Sequence, residues 1–172
     1  ARFTGQGNLG KRPLDVYTKI FDEQGIETQA QGPLLDLQVS GQLRAGTFSM
    51  RGDVSSQFIT GLLFILPLMA EDSELVITTH MESKSYVDMT LSVLADFGIR
   101  VKNEAYRRFA IPGGQKYRAG RYRVEGDFSQ AAFFLCAGAM GSAVQVEDVK
   151  RDSLQGDSAV LDILQRMGAK VC

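Results

Sequence analysis

The sequence predicts a mixed α/β (α+β) fold assembled from copies of one β-α-β-α-β-β unit of about 70 residues. Two internal repeats and the strand-like segments between them predict it. A helix-like stretch that ends in glycine and passes into a strand occurs three times, over 13–26, 86–99 and 157–169. Its glycines stand at 25, 98 and 168, which are 73 and 70 residues apart. A Gly-Asp helix start occurs twice at the same period: Gly52-Asp53-Val54-Ser55-Ser56-Gln57-Phe58, and 74 residues later Gly126-Asp127-Phe128-Ser129-Gln130-Ala131.

Each element has a physical basis. In the glycine-terminated stretches apolar residues recur three and four apart, as in Val87, Leu91 and Leu94, the stripe of an amphipathic helix. The glycine then supplies the left-handed residue on which helices commonly end. Alternating strands over 47–51 and 121–125 lead into the two Gly-Asp starts. The runs that follow, 57–69 and 130–140, are apolar nearly all round, which predicts buried helices. β-rich stretches over 74–79 and 143–149 separate the two helices of each copy. Strands over 99–102 and 107–111, closed by Pro112-Gly113-Gly114, complete the one whole copy, 47–111. The first copy lacks its beginning and the last lacks its end. The chain also opens on Ala1 without methionine and stops at Cys172 inside an apolar run, so it reads as a piece of a longer protein.

Composition narrows the function classes. Hydrophobic residues make up 44% and charged residues 23% of the 172, with a net charge of −1, ordinary values for a globular protein. That charge argues against a general nucleic-acid backbone binder. Cys136 and Cys172 form no disulfide framework and point to a reducing compartment, the cytoplasm. There is no signal peptide pattern, and the most apolar stretch, 58–70, is too short to span a bilayer. His80 is the single histidine and neither cysteine has a partner at ligand spacing, so no metal site is expected. Phosphate-loop and dinucleotide glycine patterns are absent.

The candidate site lies in two hydroxyl-rich helix starts, Ser55-Ser56-Gln57 and Ser83-Lys84-Ser85-Tyr86. A helix start carries unpaired N–H groups and a partial positive charge, so serines there can hold an anion through side chain and backbone together. Serine at that position also commonly serves as a cap alone. The last copy has a single serine, Ser129, where the complete copy has Ser55-Ser56, two hydroxyls where a cap needs one. Lys84 adds a positive charge. The stretch Lys116-Tyr117-Arg118-Ala119-Gly120-Arg121-Tyr122-Arg123 reads either as a solvated strand face or as a nucleic-acid surface. Asp15, Asp88 and Asp157 near the starts of the amphipathic helices fit a favourable interaction with the helix dipole.

These segments carry a family resemblance. Gly52 to Leu63 with Leu66-Pro67-Leu68, Ser83 to Leu91, Val124 to Leu135 and Asp152 to Asp157 together resemble the 5-enolpyruvylshikimate-3-phosphate synthase branch of the enolpyruvyltransferase family, in order along the whole chain. The resemblance implies two similar domains of inverse α/β-barrel type, each of three such units, here incomplete. It implies transfer of the enolpyruvyl group of phosphoenolpyruvate to the 5-hydroxyl of shikimate 3-phosphate, without metal or organic cofactor. Carried over position by position, Ser55, Ser56 and Ser83 bind shikimate 3-phosphate, Gln57 lies between it and phosphoenolpyruvate, and Tyr86 lines the shikimate pocket. Ser85 replaces the family's proline. The family's phosphoenolpyruvate loop and catalytic residues have no counterpart here, so the resemblance implies a piece that is inactive by itself. Residues 1–123 would be the second part of the N-terminal domain and 124–172 the start of the C-terminal one. Its apolar helices, uncovered, would favour self-association. The alternatives are a sister enzyme acting on a nucleotide sugar and a non-catalytic binding module of the same repeat fold.

Overall fold

Alternation between residues 47 and 111 becomes a four-stranded sheet in the computed structural model, which describes residues 1–11, 14–30, 32 and 35–171. Pro13, where the sequence pattern starts the first helix, and Cys172 lie outside the described residues. The sheet contains β4 (Thr47–Met50), β5 (Ser73–Ile77), β6 (Lys102–Glu104) and β7 (Arg108–Ile111), in the order β4-β5-β7-β6. β4 and β5 are parallel and the other pairs antiparallel. The register sets Phe48 beside Leu75 and Leu75 beside Phe109, three fully buried side chains in one row. Because strand side chains alternate, Met50, Ile77 and Ile111 share that face.

Two helices cover this face, α2 (Ser56–Ile65) and α3 (Lys84–Asp96). Ile59, Leu62, Leu63, Val87 and Leu94 complete one core with the strands. The observed order β4-α2-β5-α3-β6-β7 is the unit read from the repeats. A short 3₁₀ turn, Leu66–Leu68, extends α2. Gly98 after α3 is left-handed (φ +82°), as its place after the apolar stripe required.

Earlier in the chain, α1 (Asp15–Glu23) packs Ile20 into the same core, and Gly25 after it is left-handed (φ +68°). A second sheet joins β1 (Arg2–Thr4), β2 (Glu27–Ala30) and β3 (Asp36–Ser40), antiparallel in the order β1-β3-β2. Both sheets are open, so the described residues form no closed barrel.

The structure corrects several expectations. The hairpin strand expected over 99–102 is β6, Lys102–Glu104, and its turn uses Ala105 and Tyr106 at φ +53° and +57°. Two consecutive left-handed residues match the twist of a tight hairpin. Asn103 steadies the turn, its Oδ1 accepting the Tyr106 N–H at 2.8 Å, so no glycine marked it in the sequence.

Residues 121–125 and 143–149 are not strands. They lie alongside each other, joined by the Gly126 N–H to the Asp148 carbonyl (2.6 Å) and by an Arg123–Asp148 ion pair. Among the described residues they lack the further antiparallel strands, β7 and then β6, that extend the β4–β5 pair into a sheet, and without them no ladder forms. The basic and aromatic stretch 116–123 is therefore not on a strand either. Tyr117 donates to the Phe64 carbonyl (2.7 Å), the Arg118 N–H donates to the Phe97 carbonyl (2.9 Å), and the Tyr122 ring lies 5.7 Å from Phe97.

The second apolar helix, α4 (Phe128–Ala139), buries only Phe128 and Ala131. Phe133 is 74% exposed and Met140, just beyond it, 89%, so the expected fully buried helix is not observed. A helix apolar on all sides needs cover on all sides. The described residues, with α5 (Ala159–Arg166) packed against α4, cover one. The end of α2 behaves likewise, leaving Phe64, Ile65 and Leu68 exposed.

Candidate functional site

Because β4 and β5 are parallel neighbours and each passes directly into a helix, α2 and α3 begin at the same sheet edge. Hydrogen bonds to the Gly52 backbone hold the two entering loops together. The Gly52 N–H donates to Thr79 Oγ1 (3.0 Å), and the Glu82 N–H donates to the Gly52 carbonyl (3.3 Å). Gly52 is required there. A Cβ on it would stand 2.7 Å from Ile77 Cγ2 and 3.0 Å from both the His80 carbonyl oxygen and Met81 Cα. The sequence repeat flagged Gly52, but not the contact it serves.

This edge carries all five candidate residues. Ser55 caps α2 from an extended conformation (φ −165°, ψ 132°), its side chain accepting the Gln57 N–H at 3.3 Å. Ser56 and Gln57 are the first two residues of α2, and Gln57 is exposed. Ser83 holds the N-cap position of α3, but its side chain makes no capping bond. The capping reading therefore describes Ser55 and does not account for Ser83. Neither helix has an acidic residue in its first turn, whereas α1 begins with Asp15. Both starts thus keep the positive end of their dipoles uncompensated from within, the condition for receiving an anion.

Tyr86 is 42% exposed, and its hydroxyl donates to Asp157 Oδ2 at 3.0 Å. That hydrogen bond, reinforced by the carboxylate's charge, raises the phenol above the ordinary tyrosine range. Lys84 lies with Nζ 5.2 Å from the centre of the Tyr106 ring, a cation–π contact on the flank of α3. Tyr106 donates in turn to Asp88 (2.8 Å), so Asp88 serves as an acceptor for a side chain of the hairpin turn. Arg51, at the end of β4, makes a bidentate pair with Asp53 (2.9 and 2.8 Å). Hydrogen bonding to Arg51 lowers Asp53 to about 2.

Sequence reasoning missed the threonines that join the helices. Thr90 Oγ1 donates to the Tyr86 carbonyl (2.8 Å), leaving Thr60 to donate to Thr90 across the α2–α3 interface (3.0 Å). A hydroxyl on the apolar stripe of each helix was the available signal. His80 is exposed in the loop beyond β5, and Cys136 is exposed on α4. Among the described residues no cluster of His, Cys, Asp and Glu is placed to hold a metal ion. Among them, too, no helix is long and apolar enough to cross a membrane. A cleft lined by Thr47, Glu74, Leu91, Ala95, Arg100 and Ile111 opens at the opposite edge of the sheet, where β4 and β5 begin.

These features define the class: an α/β repeat protein with two serine-bearing helix starts at one sheet edge, suited to an anionic ligand. The model of EPSP synthase (3-phosphoshikimate 1-carboxyvinyltransferase) matches residues 1–172, and the chain belongs to that family. A 3-phosphoshikimate 1-carboxyvinyltransferase of Clostridium beijerinckii is 59% identical over 170 residues, covering 99% of this chain and 39% of the relative. One from Clostridioides difficile is 54% identical over 170 residues, with the same coverage. The solved EPSP synthase from Acinetobacter baumannii superposes with a TM-score of 0.75 at 25% identity, covering 98% of this chain and 37% of that one. The chain spans about two-fifths of the length of the curated relatives it matches. Their names favour the shikimate branch over the nucleotide-sugar alternative.

Proposed function

We propose that this chain carries the shikimate-3-phosphate wall of an enolpyruvyl-transfer site. The observation that carries the reading is the meeting of two helix starts at one edge, with Ser55, Ser56 and Ser83 on them and no first-turn carboxylate on either. The serine hydroxyls and the N–H groups at the starts of α2 and α3 hold the phosphate of shikimate 3-phosphate, each charge-assisted bond being stronger than a neutral one. Gln57, the second residue of α2, reaches between this substrate and phosphoenolpyruvate, and Tyr86 packs along the shikimate ring. In the reaction the methylene of phosphoenolpyruvate takes up a proton and the 5-hydroxyl attacks the adjacent carbon. As it attacks, the 5-hydroxyl gives up its proton; the tetrahedral adduct then loses phosphate from that carbon and a proton from the new methyl group to leave the enolpyruvyl ether. No residue of this chain is assigned the proton transfers, so the 172 residues alone bind one substrate and turn over neither.

The division at 123/124 belongs to the same reading. Residues 47–111 hold a complete unit with its sheet, and 124–172 begin the next domain with α4 and α5. Cytoplasmic location is likewise part of it.

Calorimetric titration with shikimate 3-phosphate tests the proposal. Binding should be measurable, and the double change Ser55→Ala, Ser56→Ala should weaken it at least tenfold, the loss of about one charge-assisted hydrogen bond. Equal affinity in the double variant would return both serines to capping. Turnover by the chain alone would refute the assignment of the chemistry elsewhere.

A further inference from the structure

We propose that Asp157 latches the turn over residues 153–158 onto the first turn of α3, and that a phosphate-bearing ligand arriving at Ser83 displaces it. This inference rests on the functional reading above. The latch has two contacts. Tyr86 donates its hydroxyl to Asp157 Oδ2 at 3.0 Å. Beside it, the backbone of Gly156 lies against Ser85, the second residue of α3: a Cβ on Gly156 would come 2.7 Å from Ser85 Oγ.

The turn is a braced piece. Ser158 Oγ donates to the Gln155 carbonyl (2.7 Å), and the Gln155 N–H donates to Ser153 Oγ (3.1 Å). The Gln155 amide bridges the Gly126 carbonyl (2.8 Å) and the Phe128 N–H (2.8 Å), which ties the turn to the start of α4. Movement at Asp157 is therefore transmitted to α4.

Charge makes the latch and the ligand rivals. α3 has no acidic residue in its own first turn, and Asp157 brings a carboxylate to that end from another part of the chain. Its partner Tyr86 belongs to the first turn of α3, the end at which the helix dipole favours an anion. Lys84, the nearest cation in sequence, is turned onto the Tyr106 ring. A phosphate dianion at Ser83 repels the Asp157 carboxylate and competes with it for the Tyr86 hydroxyl. Binding and latching thus oppose each other, and by linkage each weakens the other by the same factor.

Asp157→Asn removes the charge, and Asp157→Ala removes the acceptor as well; the side chain is exposed, so neither endangers the fold. Both variants of the full 172-residue chain are expected to bind shikimate 3-phosphate about 3- to 10-fold more tightly than the parent, with the gap narrowing as salt rises. In the parent, the ligand should speed amide hydrogen exchange over 153–158; in Asp157→Ala that exchange should already be fast. The phenolate absorbance of Tyr86, read by difference against Tyr86→Phe, should titrate at lower pH in both variants. Unchanged affinity overturns the latch and leaves the functional reading standing. Weaker affinity overturns it too, by making Asp157 part of the binding surface. Binding by none of the chains, with the Tyr86 titration still shifted, overturns the functional reading and the ligand's part in the latch together.

Discussion

Gly52→Ala is the sharpest test of how the sheet edge is built. The added methyl group meets Ile77 Cγ2 at 2.7 Å and backbone atoms of His80 and Met81 at 3.0 Å. Ile77 is β-branched, buried and held in the sheet, and the other two contacts are main chain, so nothing nearby yields easily. Overpacking of this kind costs about 1–3 kcal/mol. Against it, alanine restricts the unfolded chain more than glycine does and returns about 0.4–1 kcal/mol. The net loss is about 1–2 kcal/mol. With a urea dependence of about 2 kcal/mol per M, the unfolding midpoint should fall by about 0.5–1 M. Gly120→Ala is the control: it is exposed, and its Cβ meets nothing within 4 Å. Its midpoint should stay or rise slightly. A Gly52→Ala midpoint equal to the parent's would refute the claim that close contact between the two loops sets the edge.

Two further outcomes follow from the same structure. Asp53, lowered to about 2 by its hydrogen bonds to Arg51, binds its proton less readily folded than unfolded. Its contribution to stability is present above about pH 4 and is lost as pH falls toward 2. Midpoints measured across that window should therefore decline less steeply in Asp53→Asn, and an identical decline would argue against the pair. Phe133 and Phe134 on α4 are 74% and 63% exposed, and Phe133→Ser with Phe134→Ser should lower the self-association constant at least tenfold in sedimentation equilibrium. A parent chain that is monomeric throughout the accessible concentration range would rule out self-association through α4.

The sequence by itself determined the unit and its order, because periodicity is a local property. Stripes at helical spacing, alternation at 47–51 and glycines at helix ends each depend only on near neighbours, and Gly25, Gly98 and Gly168 are all left-handed as their positions required. It also singled out Ser55, Ser56 and Ser83, since serine at a helix start is itself a local pattern, while the family resemblance added Gln57 and Tyr86. Tertiary structure decided the rest. The strand-like alternation at 121–125 forms no strand, because a ladder needs a partner and that is not encoded in the segment itself. The apolar composition of α4 predicted burial, yet burial depends on what else is present to cover a surface. The parallel pairing of β4 with β5 brought two serine-bearing helix starts, 27 or 28 residues apart in sequence, to one edge. The same packing set Asp157 against Tyr86, 71 residues away. Local pattern names the elements and their candidate residues; which of them meet is a matter of pairing and packing between distant parts of the chain.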